Sequence, residues 1–135
     1  MEDLARPEID SFLDAELVGR IGCHAEGRTY VVPIIYAYDG EGIYGHSIEG
    51  TKLRMMRANP EVCFEVDRYD GAKGWTSVIA QGTFEELDGQ ASRRALELLA
   101  ARFDSRRRPR NGDVSSVSFR IRVDEISGRR MRRGA

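Results

Sequence analysis

The sharpest periodic signal in the chain runs from Val117 to Asp124, where Val117, Phe119, Ile121 and Val123 alternate with Ser118, Arg120, Arg122 and Asp124. A two-residue repeat of this kind predicts a strand with one buried face. Val62, Phe64 and Val66 alternate in the same way with Cys63, Glu65 and Asp67. Leu17–Glu26 and Thr29–Tyr38 read as two strands joined by a tight turn at Gly27, and Ile43–Ser47 reads as a third after the turn Asp39-Gly40-Glu41-Gly42. Trp75–Leu87 predicts a long strand in which Gly82 marks a bulge or bend. Helical spacing replaces alternation in three places: Ile9, Phe12 and Leu13 after Pro7; Leu53 and Met56 after Gly50-Thr51, closing at Asn59-Pro60; and Ala91, Ala95, Leu98, Leu99 and Phe103. This order, with short strand spacings, predicts an antiparallel sheet curled into a small barrel with helices packed outside.

Pro33 interrupts the second strand, VVPIIYAY, and removes a ladder donor. The strand is therefore expected to lie at a sheet edge, to bulge, or to face a ligand at that point. Its apolar residues fall on both faces, which suits either a buried central strand or contact with a flat ring.

At 135 residues, with 41% hydrophobic and 32% charged positions, the chain has the size and balance of one globular domain, expected over 1–128, with a basic tail over 129–135. A net charge of −1 argues against a general nucleic-acid binder. No apolar run approaches the ~20 residues of a membrane span, and MEDLARPEID lacks the pattern of a secretory signal, so a cytoplasmic location is expected. Cys23 and Cys63 are expected to behave as small hydrophobes, with His24 on the strand face opposite Cys23.

Three places could carry chemistry. A helix opening at Gly50-Thr51 would present unpaired N–H groups, with Ser47, Thr51 and Lys52 adding two hydroxyls and a charge, a set that suits either phosphate or plain helix capping. His46 could transfer protons or be structural. Arg106, Arg107, Arg108 and Arg110, with Arg129, Arg130, Arg132 and Arg133, form basic clusters read as solvated loop and tail.

The segments LVGRIGC, TYVVPIIYAYDGEGIYGHSIEGTKLRMMRANPEVCFEVD, WTSVIAQGTFEEL and FRIRVDEISGRR, in this order, resemble the pyridoxamine 5'-phosphate oxidase-like, FMN-binding split-barrel family. The resemblance implies a mainly β (α+β) fold: an antiparallel, Greek-key-like split β-barrel with short helices outside. It implies a homodimer holding FMN in clefts lined by both chains. By the same resemblance Pro33, Ile34 and Ile35 would lie along the isoalloxazine, His46 and Ser47 at its polar edge, Thr51 and Lys52 at the phosphate, and Trp75, Ser77 and Val78 on the strand completing the cleft. Val31 stands where the vitamin B6 oxidases place a phosphate-binding arginine, and their substrate-binding C-terminal segment has no counterpart. The closer likeness is to the nitroimidazole resistance branch, which implies an FMN-dependent oxidoreductase reducing a small planar aromatic acceptor, with His46 as catalytic residue. A flavin-storage module without turnover, or a deazaflavin- or haem-binding member of the same fold, are the alternatives the resemblance leaves open.

Overall fold

The structure is a computed structural model and describes residues 1–103 and 116–132. Helix α1 (Arg6–Ala15) starts with Pro7 in its first turn, where a missing N–H does no harm, and buries Ile9, Phe12 and Leu13. The hairpin of β2 (Val18–Ala25) and β3 (Arg28–Ile35) follows. After it come β4 (Ala37–Tyr38), β5 (Gly42–Ile48), α2 (Thr51–Ala58), β6 (Glu61–Tyr69), β7 (Trp75–Glu86), α3 (Gly89–Arg102) and β8 (Ser116–Met131). A two-residue strand at the start, β1 (Glu2–Asp3), was not legible in the pattern.

All strands pair antiparallel in one sheet, ordered β3-β2-β6-β7-β8-β5-β4, with β1 added to β8. Strands β5 to β8 lie in the spatial order β6-β7-β8-β5, a Greek key. The sheet curls into a half-barrel around Ile21, Phe64, Val66, Ile43, Phe119 and Ile121, which are shielded almost completely from solvent. Each such side chain contributes about 1.5–3 kcal/mol by leaving water. α2 adds Leu53 and Met56 to this core, whereas α3 covers Tyr44 and Ala37 with Ala95 and Leu99 in a smaller cluster. This is the split barrel, mainly β with three helices.

The bulge expected at Gly82 is present: the β7–β8 register shifts between Gln81 and Gly82. Two expectations need correction. The predicted strand Thr29–Tyr38 divides at Tyr36, because β3 ends at one edge of the sheet and β4 belongs to the other. Residues 129–131, expected in a tail, instead continue β8, with Arg129 opposite Ser77 and Asp3, and Arg130 opposite Thr76 and Glu2. Their charges are met by Asp3, Glu2 and Glu8, which is why an arginine-rich end can be ordered as a strand. Arg106, Arg107, Arg108, Arg110 and Arg133 lie outside the described residues.

Candidate functional site

β3 is an edge strand, bonded only to β2. The bond from the Tyr36 N–H to the Leu17 carbonyl fixes the parity of that ladder. Pro33, opposite Arg20, then falls at a non-hydrogen-bonded position and forfeits no ladder bond. The backbone groups of Val31 and Ile35 fall at the same kind of position and face the open edge. The side chains of Val31, Pro33 and Ile35 share the outward face of the sheet, and Val31 and Ile35 are 62% and 51% exposed. Val18 beside Ile35, and Ile79 and Trp75 on β7, extend this apolar outer surface. Ile34 points the other way and is buried in the core at 8% exposure, as is Val78 at 1%, so these two could offer a ligand only backbone atoms.

α2 opens at Gly50, which has no side chain to cap it, so the first N–H groups of the helix remain available. No acidic residue stands in its first turn. Lys52 there is half-buried, and burial pushes its ammonium below the usual lysine range, with the Cys23 thiol the nearby group that partly offsets this. Among the described residues no carboxylate lies within 4.0 Å of it. A half-buried cation, a hydroxyl at Thr51 that can donate and an uncapped helix start form a donor-rich set, which suits an anion such as a phosphate.

His46 and Ser47 follow one another on β5 and so point to opposite faces. His46 shares the side of Tyr44, toward α3, opposite the buried Ser118 of β8. Ser47 shares the side of Ile43 and donates to the Ile48 carbonyl at 2.9 Å. Trp75 and Ser77 face outward on β7, three strands from β3, or roughly 14 Å across the sheet. Within one chain, α2 with Lys52 and Thr51 packs on β2, the hairpin partner of β3, while Trp75 and Ser77 lie three strands from β3 on the outer face.

Two features of that face were not legible in the sequence. A cleft of about 540 Å³ runs across it between His24, Thr29, Gly22, Cys63, Gln81 and Glu125. A Cβ at Gly22 would meet nothing closer than 3.9 Å, so glycine keeps the floor of the cleft low between Val31 and Cys63. A glycine within a strand was the only signal for it. Beside the cleft, Arg20 reaches both Glu65 at 3.3 Å and Asp67 at 3.2 Å. Burial and the adjoining Asp67 carboxyl nonetheless push Glu65 up to about 7, Arg20 opposing them. Cys23 points inward, His24 outward as expected, and Cys63 outward. Both thiols are free, and burial raises each of them, so they stay protonated at neutral pH.

Comparison with known proteins is consistent with this architecture. The family described as pyridoxamine 5'-phosphate oxidase matches residues 5–130. An FAD-binding protein from Mesorhizobium loti is 33% identical, with 96% of this chain and 97% of that chain covered and a TM-score of 0.79. An FAD-binding protein from Mycobacterium smegmatis is 26% identical over 98% of this chain and 100% of that chain, at a TM-score of 0.73. A protein from Bacteroides thetaiotaomicron, described only provisionally as a 5-nitroimidazole antibiotic resistance protein, shares the fold at 21% identity, covering 94% of this chain and 85% of that chain, with a TM-score of 0.78. An uncharacterised protein of Rhizobium meliloti (strain 1021) is 32% identical over 84 residues, which are 62% of this chain and 56% of the relative. With almost its whole described length matched, the chain belongs to the pyridoxamine 5'-phosphate oxidase family.

Proposed function

We propose that this protein is a flavin-dependent oxidoreductase that reduces a small planar aromatic acceptor, with the flavin held between two copies of the chain. The observation that carries this reading is the donor-rich set at the start of α2, Thr51 and the uncompensated Lys52, on a helix packed against β2, whose hairpin partner β3 offers open backbone groups and an apolar face. The first suits a nucleotide phosphate and the second a flat tricyclic ring. Two relatives named as FAD-binding support a flavin, and FMN is the form the sequence resemblance implies.

A bound flavin supplies the redox chemistry, accepting two electrons and handing them to the acceptor. The chain's own residues do the rest. Lys52 and Thr51 hold the phosphate, and Pro33 and Ile35 provide an apolar wall that excludes water from one side of the ring. Backbone atoms of Ile34 and Val78 serve as contacts while their side chains hold the strands in register. His46, with Ser47 nearby on β5, is the proton donor on the acceptor side. The second copy supplies Trp75 and Ser77, which within one chain lie three strands from β3, and it covers Val18, Val31 and Ile79.

The test is the visible spectrum of the purified protein, with mass identification of any released cofactor. Absorbance near the flavin bands and an FMN or FAD mass are expected, and Lys52→Met should weaken binding about tenfold or more, as loss of a charge-assisted contact does. A colourless protein that takes up neither FMN nor FAD, or one showing a Soret band instead, would refute the reading.

A further inference from the structure

We propose a second binding site, remote from α2, for a small organic anion: a carboxylate or phosphate group on an apolar body. The site is the hollow between α1, the turn over residues 70–74, the start of β7 and the end of β8, with a volume of about 420 Å³. That volume falls in the range of small-ligand pockets.

Its centre is a row across three strands. Thr76 on β7 stands opposite Arg68 on β6 and Arg130 on β8, so the three side chains share one face at spacings of about 4.5–5.5 Å. Thr76 is only 5% exposed and lines the hollow. Among the described residues its hydroxyl has no hydrogen-bond partner. The hydroxyl opens onto the hollow, where it can donate to or accept from a group bound there.

The flanking guanidiniums keep donors for such a group. Arg68 uses Nε on Asp70 at 3.2 Å and Nη1 on Glu16 at 3.1 Å, leaving Nη2. Arg130 uses Nη2 on Glu8 at 3.1 Å, and its Nη1 stands 4.0 Å from Glu2, beyond hydrogen-bond reach. Glu8 cannot engage it more fully, because its other oxygen accepts the Ala5 N–H at the start of α1. Lys73, at the rim, has no carboxylate within 4.0 Å among the described residues, while Arg132 leans away toward Glu2 at 3.5 Å. Two arginines flanking a hydroxyl match the planar, multiply accepting oxygens of a carboxylate or phosphate. The apolar body has its own wall in Leu4 and in Phe12, over whose ring the Arg68 guanidinium sits at 5.1 Å. No residue of α2 lines this hollow, and Thr76 points to the face of β7 opposite Trp75 and Ser77, so the site shares no side chain with the one proposed for the flavin.

Titration of the full-length, isotope-labelled protein with phenyl phosphate and with benzoate, followed by amide chemical shifts, tests the site. At least one probe should give saturable shifts at Thr76, Lys73 and the first turns of α1, with inorganic phosphate binding more weakly because it lacks the ring. Thr76→Val, close in shape, should weaken that binding roughly tenfold, and Lys52→Ala should leave it unchanged. Lys73→Gln, at an exposed turn position, should weaken it too, and provides the reading if the valine variant does not fold. Shifts confined to the start of α2, no binding of either aromatic probe, or full affinity in Lys73→Gln would overturn the proposal.

Discussion

Tyr36 shows how much one residue can join. Its buried hydroxyl donates to the Leu13 carbonyl at 2.6 Å, and its ring meets Phe64 edge-on at 5.0 Å. The Arg102 guanidinium lies 5.1 Å over the same ring and donates to the carbonyls of Tyr36, Asp14 and Glu16, tying the end of α3 to the junction of α1 and β2. Nothing in the run IIYAY distinguishes such a tyrosine from a surface one, because its partners are 23 and 66 residues away along the chain. Glu65 is a second residue whose state depends on neighbours the sequence does not reveal. Burial and Asp67 raise its carboxyl from 4.5 to about 7. The folded protein therefore holds a proton that the unfolded chain releases, and stability contributed by this group falls as pH rises from about 4.5 to 7. Glu65→Gln should flatten that part of the stability curve. Urea midpoints measured between pH 4.5 and 7.5 that fall equally in both proteins would refute the assignment.

At the scale of elements, the strand periodicity was the reliable signal, and it located the strands of the sheet except β1 and β4, the latter read as the end of β3. It could not tell which strand lies at an edge. Pro33 narrowed that question to three answers, and the parity of the β2–β3 ladder chose among them. The end of β8 was misjudged because alternation stops at Asp124, where the bulge beside Gly82 resets the register before pairing resumes at Glu125. Gly82 itself is required there: a Cβ would lie 2.5 Å from the Arg122 carbonyl oxygen and 2.6 Å from Ile121 Cγ2. Gly82→Ala should cost about 1–3 kcal/mol, as overpacking against backbone does. The check is a urea unfolding curve, and a midpoint equal to the parent's would show that the bulge can relax. Of the candidate site, the start of α2 was legible from Gly50, Thr51 and Lys52, and Pro33 marked β3 as unusual while leaving edge, bulge and ligand contact open. The cleft over Gly22 depends on which strand neighbours which, and the side of β5 that carries His46 on where α3 packs.

For the whole molecule, the outer face is the feature that matters most to the proposed assembly. Val31 is 62% exposed, so Val31→Lys should leave the fold of one chain intact. The same change places a charge in the proposed contact between copies, where it would be buried unpaired. The parent should sediment as a dimer and the variant as a monomer with an unchanged circular dichroism spectrum. A parent that is monomeric at all concentrations, or a variant that remains dimeric, would contradict the arrangement. The position of β8 carries a further consequence, for biosynthesis. This strand is the hub between β7 and β5, yet it follows them both in the chain. Until residues 116–131 have emerged from the ribosome, the nascent sheet exists as two fragments with raw edges, and a pause in translation before that point would present both to chaperones and to neighbouring chains.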